Sequence, residues 1–522
     1  MTCPFAYLAQ INSVVCDFAG NAQKILDAAK KAKQEGAALC ITPAYSLTGW
    51  PLAGWVKRCE FWSALEVQLK KLADKLAQEA SGVAVVFGAP ALLGSEIGCS
   101  LYVYKDGGCL ARFDDEPVVF EVGDLRAGLL SFAEPQTEKL QTLGADFCIC
   151  CQAWTYNRTK SSVRRTALLT AGLPILHVNL AGAQDEHVYE GAGAAVNGSG
   201  DEVVALRPFV EDAAFAAKDA LFGDTKVKER RKAGELELLF EALVVAVRDY
   251  VRKNGFSDVV LGLSGGADSA LVAAIAVEAL GREHVHAVMM PTRFTTDVSL
   301  RLAQACAENL GIDYRVRPIG GIFDSAAQLL ADDFAGTEPG LAEENLQARA
   351  RGMTLMALSN KFGWLTLATG NKSESAAGYC TLYGDTAGAY SPIKDVYKTD
   401  VWALMRLYNE LKGREVIPEE IITRPPSAEL REGQTDEAAL MPYAVLDAIL
   451  HGLLEEGLSP EEVVRTKTVK VEDVDRVVKL WLRSEYKRRQ CPTGPCVSGA
   501  ALSSDILMPM TNLLAQRYSD TP

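Results

Sequence analysis

The 522-residue sequence predicts an α/β protein of two domains, and three observations carry that expectation. At 48% hydrophobic residues the chain is longer than one core usually serves, so two cores are expected. Short apolar runs alternate with amphipathic segments along most of the length, which is the pattern of sheets layered with helices. Between an apolar run and an alanine-rich stretch lies Ser264-Gly265-Gly266-Ala267-Asp268-Ser269, a glycine turn joining a strand to a helix.

The first domain is expected over residues 1–215. Its amphipathic stretches predict helices at Asn21 to Gln34 and Phe61 to Ala80. Its β-branched and apolar runs predict strands at Ala37 to Ile41, Val83 to Phe87, Ala127 to Ser131, Asp146 to Cys151, Pro174 to Asn179 and Val203 to Leu206. Residues 216–234 are charged and weakly apolar and read as a linker. The basic cluster Lys226 to Lys232 is read there as a solvated face. The second domain, 235–522, opens with a helix at Leu236 to Lys253 and a strand at Asp258 to Leu263. After the glycine turn come a helix at Ala270 to Leu280, a strand at His284 to Met290, a helix at Val298 to Leu310 and a strand at Asp313 to Pro318. Such alternation implies a doubly wound parallel sheet with ligands at the carboxyl ends of its strands. Phe334 to Glu343, rich in Gly, Pro, Thr and Glu, reads as a mobile surface segment.

A net charge of −14 and a pI near 5.1 argue against nucleic-acid or anionic-membrane partners. No run approaches the roughly 20 apolar residues of a membrane span, and Met1 to Phe5 has no basic n-region, so a cytoplasmic protein is expected. Thirteen scattered cysteines suit reduced, buried thiols, and five histidines give a zinc site little support. Cys491 and Cys496 have no second pair and read as unpaired thiols.

The glycine turn carries the strongest chemical signal. Paired glycines let backbone N–H groups wrap an anion, and the helix that follows presents its positive end. Ser264 and Ser269 add hydroxyl donors, whereas Asp268 beside a polyphosphate makes sense as a magnesium ligand. The turn lacks the Lys-Ser/Thr of a Walker loop and the glycine spacing of a dinucleotide fingerprint. Downstream lie Glu344-Asn345-Leu346-Gln347-Ala348-Arg349-Ala350-Arg351, Thr369-Gly370-Asn371-Lys372-Ser373-Glu374 and Gly378 to Asp385. Lys394 to Thr399, Arg424 to Leu430 and Ser484 to Gln490 follow. Polar groups so dense among apolar helices imply a polar ligand.

Together with the glycine turn, these segments resemble the synthetase domain of the long, glutamine-dependent NAD synthetases, from about Leu236 to Gln490. The resemblance implies an N-terminal nitrilase-like α-β-β-α sandwich and a C-terminal doubly wound sheet of the PP-loop type. It implies an ATP-dependent, AMP-forming ligase that adenylates deamido-NAD and amidates it to NAD. ATP and Mg2+ are the implied cofactors, deamido-NAD and ammonia the substrates, and a homo-oligomer of at least two chains the assembly. Carried onto this sequence, Gly262, Leu263, Ser264, Gly265, Gly266, Ala267, Asp268 and Ser269 would hold ATP, with Thr369, Lys398 and Ser427. Asp268, Lys398 and Ser427 are the catalytic candidates, Asp268 and Glu374 the metal ligands, and Asn345, Arg349, Glu374 and Lys487 the deamido-NAD contacts. Singly, Arg349, Arg351 and Lys398 also fit surface salt bridges, and Glu374 fits a helix N-terminal charge. The stretch Ala500 to Leu513 departs from the family pattern by lacking arginines.

The first domain resembles the family's nitrilase-like amidase, through Pro43 with Leu47-Thr48-Gly49-Trp50-Pro51 and Val178-Asn179 followed by Gly182. Amidase chemistry needs a cysteine nucleophile, a glutamate base and a lysine for the oxyanion. Here Ala44 stands at the glutamate position, Phe132 at the cysteine position, and no lysine occurs between Lys105 and Lys139. A pseudo-amidase, with Phe132 and Trp154 filling the former pocket, is therefore expected, and the synthetase would draw on free or delivered ammonia. A glutamine-dependent enzyme with a divergent amidase and a non-catalytic nucleotide-binding regulator are the alternatives.

Overall fold

A computed structural model of the chain describes residues 4–94, 96–114, 116–130, 136–223, 233–511 and 513. The chain forms two compact units, Met1–Ala233 and Gly234–Pro522. No helix among the described residues is long and apolar enough to cross a membrane.

The first unit holds two six-stranded sheets. One runs, in spatial order, Asp212–Ala217, Pro4–Gln10, Leu39–Ile41, Ala84–Leu93, Glu96–Lys105 and Gly108–Phe113. The other runs Glu202–Ala205, Ala194–Val196, Ile175–Asn179, Phe147–Gln152, Leu125–Leu130 and Val118–Val122. Period-2 alternation fixes the layering. Leu39, Ile41 and Val86 of the first sheet meet Leu129, Ile149 and Leu176 of the second in one core. Their neighbours Cys40, Val85 and Phe87 point the other way, onto helices Phe18–Gln34 and Cys59–Glu79. On the far side Leu130, Cys148 and Cys150 pack with Leu140 and Leu168 of helices Gln136–Thr142 and Lys160–Leu169. The result is the expected α-β-β-α sandwich.

Several strands escaped the sequence reading. The run expected to end at Phe87 continues to Leu93 and pairs antiparallel with Glu96–Lys105. Gly88 and Pro90 look like punctuation there, but Gly88 has another reason. A Cβ on it would stand 2.6 Å from the Ala44 Cα and 2.5 Å from the Tyr45 nitrogen, so only glycine admits that neighbouring turn. The expected linker also begins too early, since Ala216 and Ala217 finish a strand and Lys218–Phe222 form a helix. The basic cluster Lys226 to Lys232 lies outside the described residues.

Among the described residues of the second unit four strands, all parallel, are ordered Asp313–Val316, Val285–Met289, Val259–Gly262 and Leu365–Leu367. Successive connections leave Val259–Gly262 on opposite sides, so the strand order reverses beside its carboxyl end. Helix Ala267–Leu280 is buried almost all round, from Ala270 to Ala276 without exposure, which its small side chains permit. Helix Leu341–Phe362 covers the sheet through Ala350 and Leu355, which meet Val260 and Val288. It begins inside the segment expected to be mobile, with Glu343 accepting the Gly340 N–H at 2.7 Å. Helices Tyr443–Leu454, Pro460–Lys467 and Val471–Arg483 make a separate apolar cluster with Ala376, Ala377 and Tyr397.

Candidate active site

The glycine turn lies at the sheet's reversal point. Gly265 takes a φ of +80°, and a Cβ on it would come within 2.4 Å of the Ser299 carbonyl oxygen. Glycine is required on both counts. The turn is braced from inside: Ser269 Oγ receives the Ser264 N–H at 3.2 Å, and Ser264 Oγ receives the Gly266 N–H at 3.2 Å. The helix starts at Ala267, three residues before the sequence reading placed it. Asp268 and Ser269 therefore belong to its first turn, where the backbone N–H groups are free for an anion.

Around the turn closes a cavity of about 300 Å³, lined by Gly262, Leu263, Ser264, Gly266, Ala267, Asp268 and Ser269 together with Thr369, Glu374, Lys398 and Ser427. Of the expected ATP residues only Gly265 is outside the lining, turned toward Ser299. Lys398, 2% exposed, donates to Asp268 Oδ2 and stands 3.5 Å from Glu374 Oε1. Burial opposes its charge, yet Asp268 and Glu374 together raise the ammonium above its ordinary value. Burial, followed by the Asp268 charge, pushes the Glu374 carboxyl up to about 8. Two carboxylates thus share one buried cation. Asp436, its carboxyl also raised by burial, faces the same ammonium and accepts from Tyr379 and Tyr443, each at 3.3 Å. The Lys398 Nζ lies 5.2 Å from the Tyr443 ring centre.

The expected dinucleotide contacts are spread more widely. Arg349 lines a second cavity of about 670 Å³, and its Nε donates to the Leu382 carbonyl at 3.3 Å. Asn345 accepts from Thr381 at 2.6 Å, and Lys487 donates to the carbonyls of Gly378 and Cys380 at 2.7 and 2.8 Å. Both side chains therefore brace the segment Gly378 to Asp385 and line neither cavity. Gly352, Thr386, Ala387, Cys491 and Pro492 line both cavities.

Sequence reasoning assigned no role to Asn371, although it orders the carboxylates. Its amide donates to Asp268 Oδ1 at 2.8 Å, and its Oδ1 caps the next helix through the Glu374 N–H at 2.9 Å. The Asn-x-x-Glu spacing of a capping box was the available signal. Asp436 and Tyr443 had none, because tertiary folding alone brings them to Lys398.

In the first unit Ala44 is 5% exposed and lies two residues after Thr42, whose hydroxyl donates to the Val86 carbonyl at 3.0 Å. Beside it Tyr45, at a φ of +53°, stacks on Trp50 with 4.3 Å between ring centres. Ser131, Phe132, Ala133 and Glu134 lie outside the described residues. Trp154 packs with Leu130 and Cys150, carries Arg164 at 5.2 Å over its ring, and lies 5.2 Å from the ring of buried His177. Burial pushes the Cys150 thiol up to about 12 and the Cys151 thiol well above the ordinary range, the opposite of an activated nucleophile.

A parallel sheet that brings a glycine-rich strand-to-helix turn, two carboxylates and one buried lysine to a single cavity defines a nucleotide-using enzyme of the PP-loop class. Comparison narrows the class. Residues 239–491 match the NAD synthase family, and residues 6–113 match the carbon-nitrogen hydrolase family. The glutamine-dependent NAD(+) synthetase of Thermotoga maritima is 37% identical over 97% of this chain and 98% of its own. That of Rhodobacter capsulatus is 38% identical at the same coverage. The glutamine-dependent NAD+ synthetase of Acinetobacter baumannii, solved in complex with ADP, superposes with a TM-score of 0.76 at 34% identity, covering 97% of this chain and 98% of that one. The chain belongs to the two-domain NAD synthase family of ATP-using ligases.

Proposed function

We propose that this protein makes NAD in the cytoplasm from deamido-NAD, ATP and ammonia, and that its first domain no longer hydrolyses glutamine. The observation that carries the second half is Ala44, a buried methyl group at the position where the amidase needs its general base. Cys150 and Cys151 offer no substitute, because each thiol is held protonated by burial.

In the synthase unit the nicotinate carboxylate of deamido-NAD attacks the ATP α-phosphorus, pyrophosphate leaves, and ammonia displaces AMP from the mixed anhydride. The first step brings two anions together. The loop N–H groups, the serine hydroxyls and the helix N-terminus offset the phosphate charge, and Lys398 supplies a fixed cation. Ser427, whose Oγ donates to the Gln434 carbonyl at 2.6 Å, holds the Arg424 to Leu430 segment against the cavity. Asp268 and Glu374 fit Mg2+, which typically takes one or two carboxylates and completes its shell with phosphate oxygens. The metal would add charge neutralisation at the departing pyrophosphate. Burial and then the Asp268 charge raise the Glu374 carboxyl, so a cation bound at the pair would favour its ionised form. Arg349, Asn345 and Lys487 would shape the dinucleotide side, the last two by holding the Gly378 to Asp385 segment. A homo-oligomer belongs to the proposal, since Met353, Met356 and Phe362 expose apolar surface along one helix.

Purified protein with ATP, Mg2+ and deamido-NAD should form NAD with ammonium chloride and not with glutamine. The relatives' glutamine dependence favours the rival reading, and equal rates from glutamine with glutamate release would establish it. Silence with both nitrogen sources would instead favour a nucleotide-binding regulator. Sedimentation tests the oligomer.

A further inference from the structure

Glu429 stands in a backbone conformation that its residue type disfavours. Its φ is +48°, in the left-handed region where a residue with a side chain is strained, and it lies in the segment that lines the nucleotide cavity. Strain of this kind persists only where surrounding contacts over-determine it. Here the contacts run through the carboxylate. Its Oε1 accepts from the Ser299 hydroxyl at 2.7 Å, the Thr296 hydroxyl at 2.9 Å and Arg424 Nη2 at 3.1 Å, while Oε2 accepts the Thr296 N–H at 3.3 Å. Arg424 Nη1 closes the ring by donating to Ser299 Oγ at 2.9 Å. A bare carboxylate in the wall of a polyphosphate cavity would repel its ligand. This one is offset by the Arg424 guanidinium and by the N-terminus of helix Asp297–Leu310, which Thr296 caps.

The carboxylate joins two walls of that cavity. On one side the Ser299 carbonyl is the atom that a Cβ on Gly265 would strike, so Ser299 abuts the glycine turn. On the other, the Glu429 N–H donates to Ser427 Oγ at 3.2 Å, and that oxygen donates to the Gln434 carbonyl at 2.6 Å. The next residue is fixed from a third direction. Gln347, buried in helix Leu341–Phe362, donates to the Leu430 carbonyl at 2.8 Å and accepts from the Thr292 hydroxyl at 3.1 Å. We propose that Glu429 is a positioning residue for ATP: its carboxylate clamps the Ser427 segment to the residue behind the glycine turn, so that turn and serine meet the same triphosphate. The proposal deepens the synthase reading and rests on it for the reaction served, not for the clamp itself.

Two substitutions separate carboxylate from backbone. Glutamine keeps the strained φ, but either placement of its amide sets an NH2 group against the Thr296 N–H or the guanidinium, donor against donor. Glycine relieves the strain and removes the clamp. The full-length parent, Glu429→Gln and Glu429→Gly are titrated with ATP and Mg2+ by calorimetry, melted without ligand, and assayed for ammonium-driven NAD formation with each substrate varied. Both variants should bind ATP at least tenfold more weakly and show KM for ATP raised by the same factor, with KM for deamido-NAD within twofold of the parent. The Glu429→Gly midpoint should equal or exceed that of Glu429→Gln, and a lower one overturns the strain argument. ATP affinity within twofold of the parent in either variant overturns the clamp. Equal tenfold losses for ATP and deamido-NAD overturn it too, because they report a loosened cavity. If the parent binds ATP but makes no NAD, the synthase reading fails while the titrations still decide the clamp; a parent that binds no ATP overturns both.

Discussion

Replacing Lys372 by methionine should destabilise the second unit. Lys372 is completely buried, with its Nζ 3.1 Å from Asp395 Oδ1 and 2.9 Å from Glu455 Oε1. It also donates to Ser498 Oγ at 2.6 Å and to the Ala500 carbonyl at 3.0 Å. Burial alone would raise the Glu455 carboxyl, but Lys372 and the Gly499 N–H bring it below its ordinary value. Methionine fills nearly the same volume, so the loss is electrostatic rather than a cavity. Two buried carboxylates are then left facing each other without a cation, and breaking a buried pair in this way costs about 3–5 kcal/mol. The unit has about 290 residues. At an unfolding entropy of about 2.1 cal/mol/K per residue, that cost lowers its midpoint by roughly 5–8 °C. Scanning calorimetry of the whole chain reads the shift, and the transition that ATP raises belongs to this unit. Adding Glu455→Gln to Lys372→Met should recover at least about 1 kcal/mol, because it removes one orphaned charge. A Lys372→Met midpoint within a degree of the parent, or strictly additive effects in the double variant, would refute the reasoning.

Gly265→Ala places a methyl group on the Ser299 carbonyl and a side chain at a φ of +80°. The backbone term alone costs about 1–2 kcal/mol. The KM for ATP should rise at least tenfold, and an unchanged KM would show that the loop does not cradle phosphate. Lys398→Met should lower kcat at least about a hundredfold through loss of charge at the reacting phosphate. Lys398→Arg should not rescue it, since a planar fork cannot replace a point charge between Asp268 and Glu374. His177 is buried with neither ring nitrogen hydrogen-bonded among the described residues, and burial lowers it to about 3. The unfolded chain takes up this proton from about pH 6.5 downward while the folded chain does not. Stability contributed by neutral His177 is therefore present above pH 6.5. It falls by about 1.4 kcal/mol per pH unit as pH drops toward 3. Urea midpoints of parent and His177→Phe between pH 7 and 4.5 should diverge in slope, and parallel slopes would remove His177 as the cause.

Where the sequence told the fold correctly, the signal was local. The strand Phe147–Gln152 is legible because Phe147, Ile149 and Cys151 face one layer while Cys148 and Cys150 face another, and both faces are apolar. The glycine turn is legible for the same reason, since strand, glycines and helix are consecutive. The Ala84–Leu93 and Glu96–Lys105 pair was hidden by Gly88, a residue chosen by the Ala44 turn approaching from elsewhere in the chain. Lys398 is intermediate: its residue type is local, but its role needs Asp268, 130 positions away, and only the family resemblance placed the two together. Asp436 carried no local signature, and Asp395, though inside the polar segment Lys394 to Thr399, had no role assigned, because their partners are supplied by the helical cluster and by Val497 and Ser498.

The stretch after Gln490 shows how charge loss in a sequence can mislead. Ala500 to Leu513 lacks the family's arginines, which suggests a segment detached from the site. Its approach, however, is secured by main chain: the Val497 and Ser498 N–H groups both donate to Asp395 at 2.8 Å, and the Gly499 N–H donates to Glu455 at 2.9 Å. Leu502 is buried in the helical cluster. The acids that receive these N–H groups are the two that hold Lys372, next to Asn371, which orders Asp268 and Glu374. Backbone donors cannot be deleted by substitution except to proline. The segment therefore lacks arginines and is still tied, through Asp395, Glu455 and Lys372, to the turn at Asn371 that orders Asp268 and Glu374.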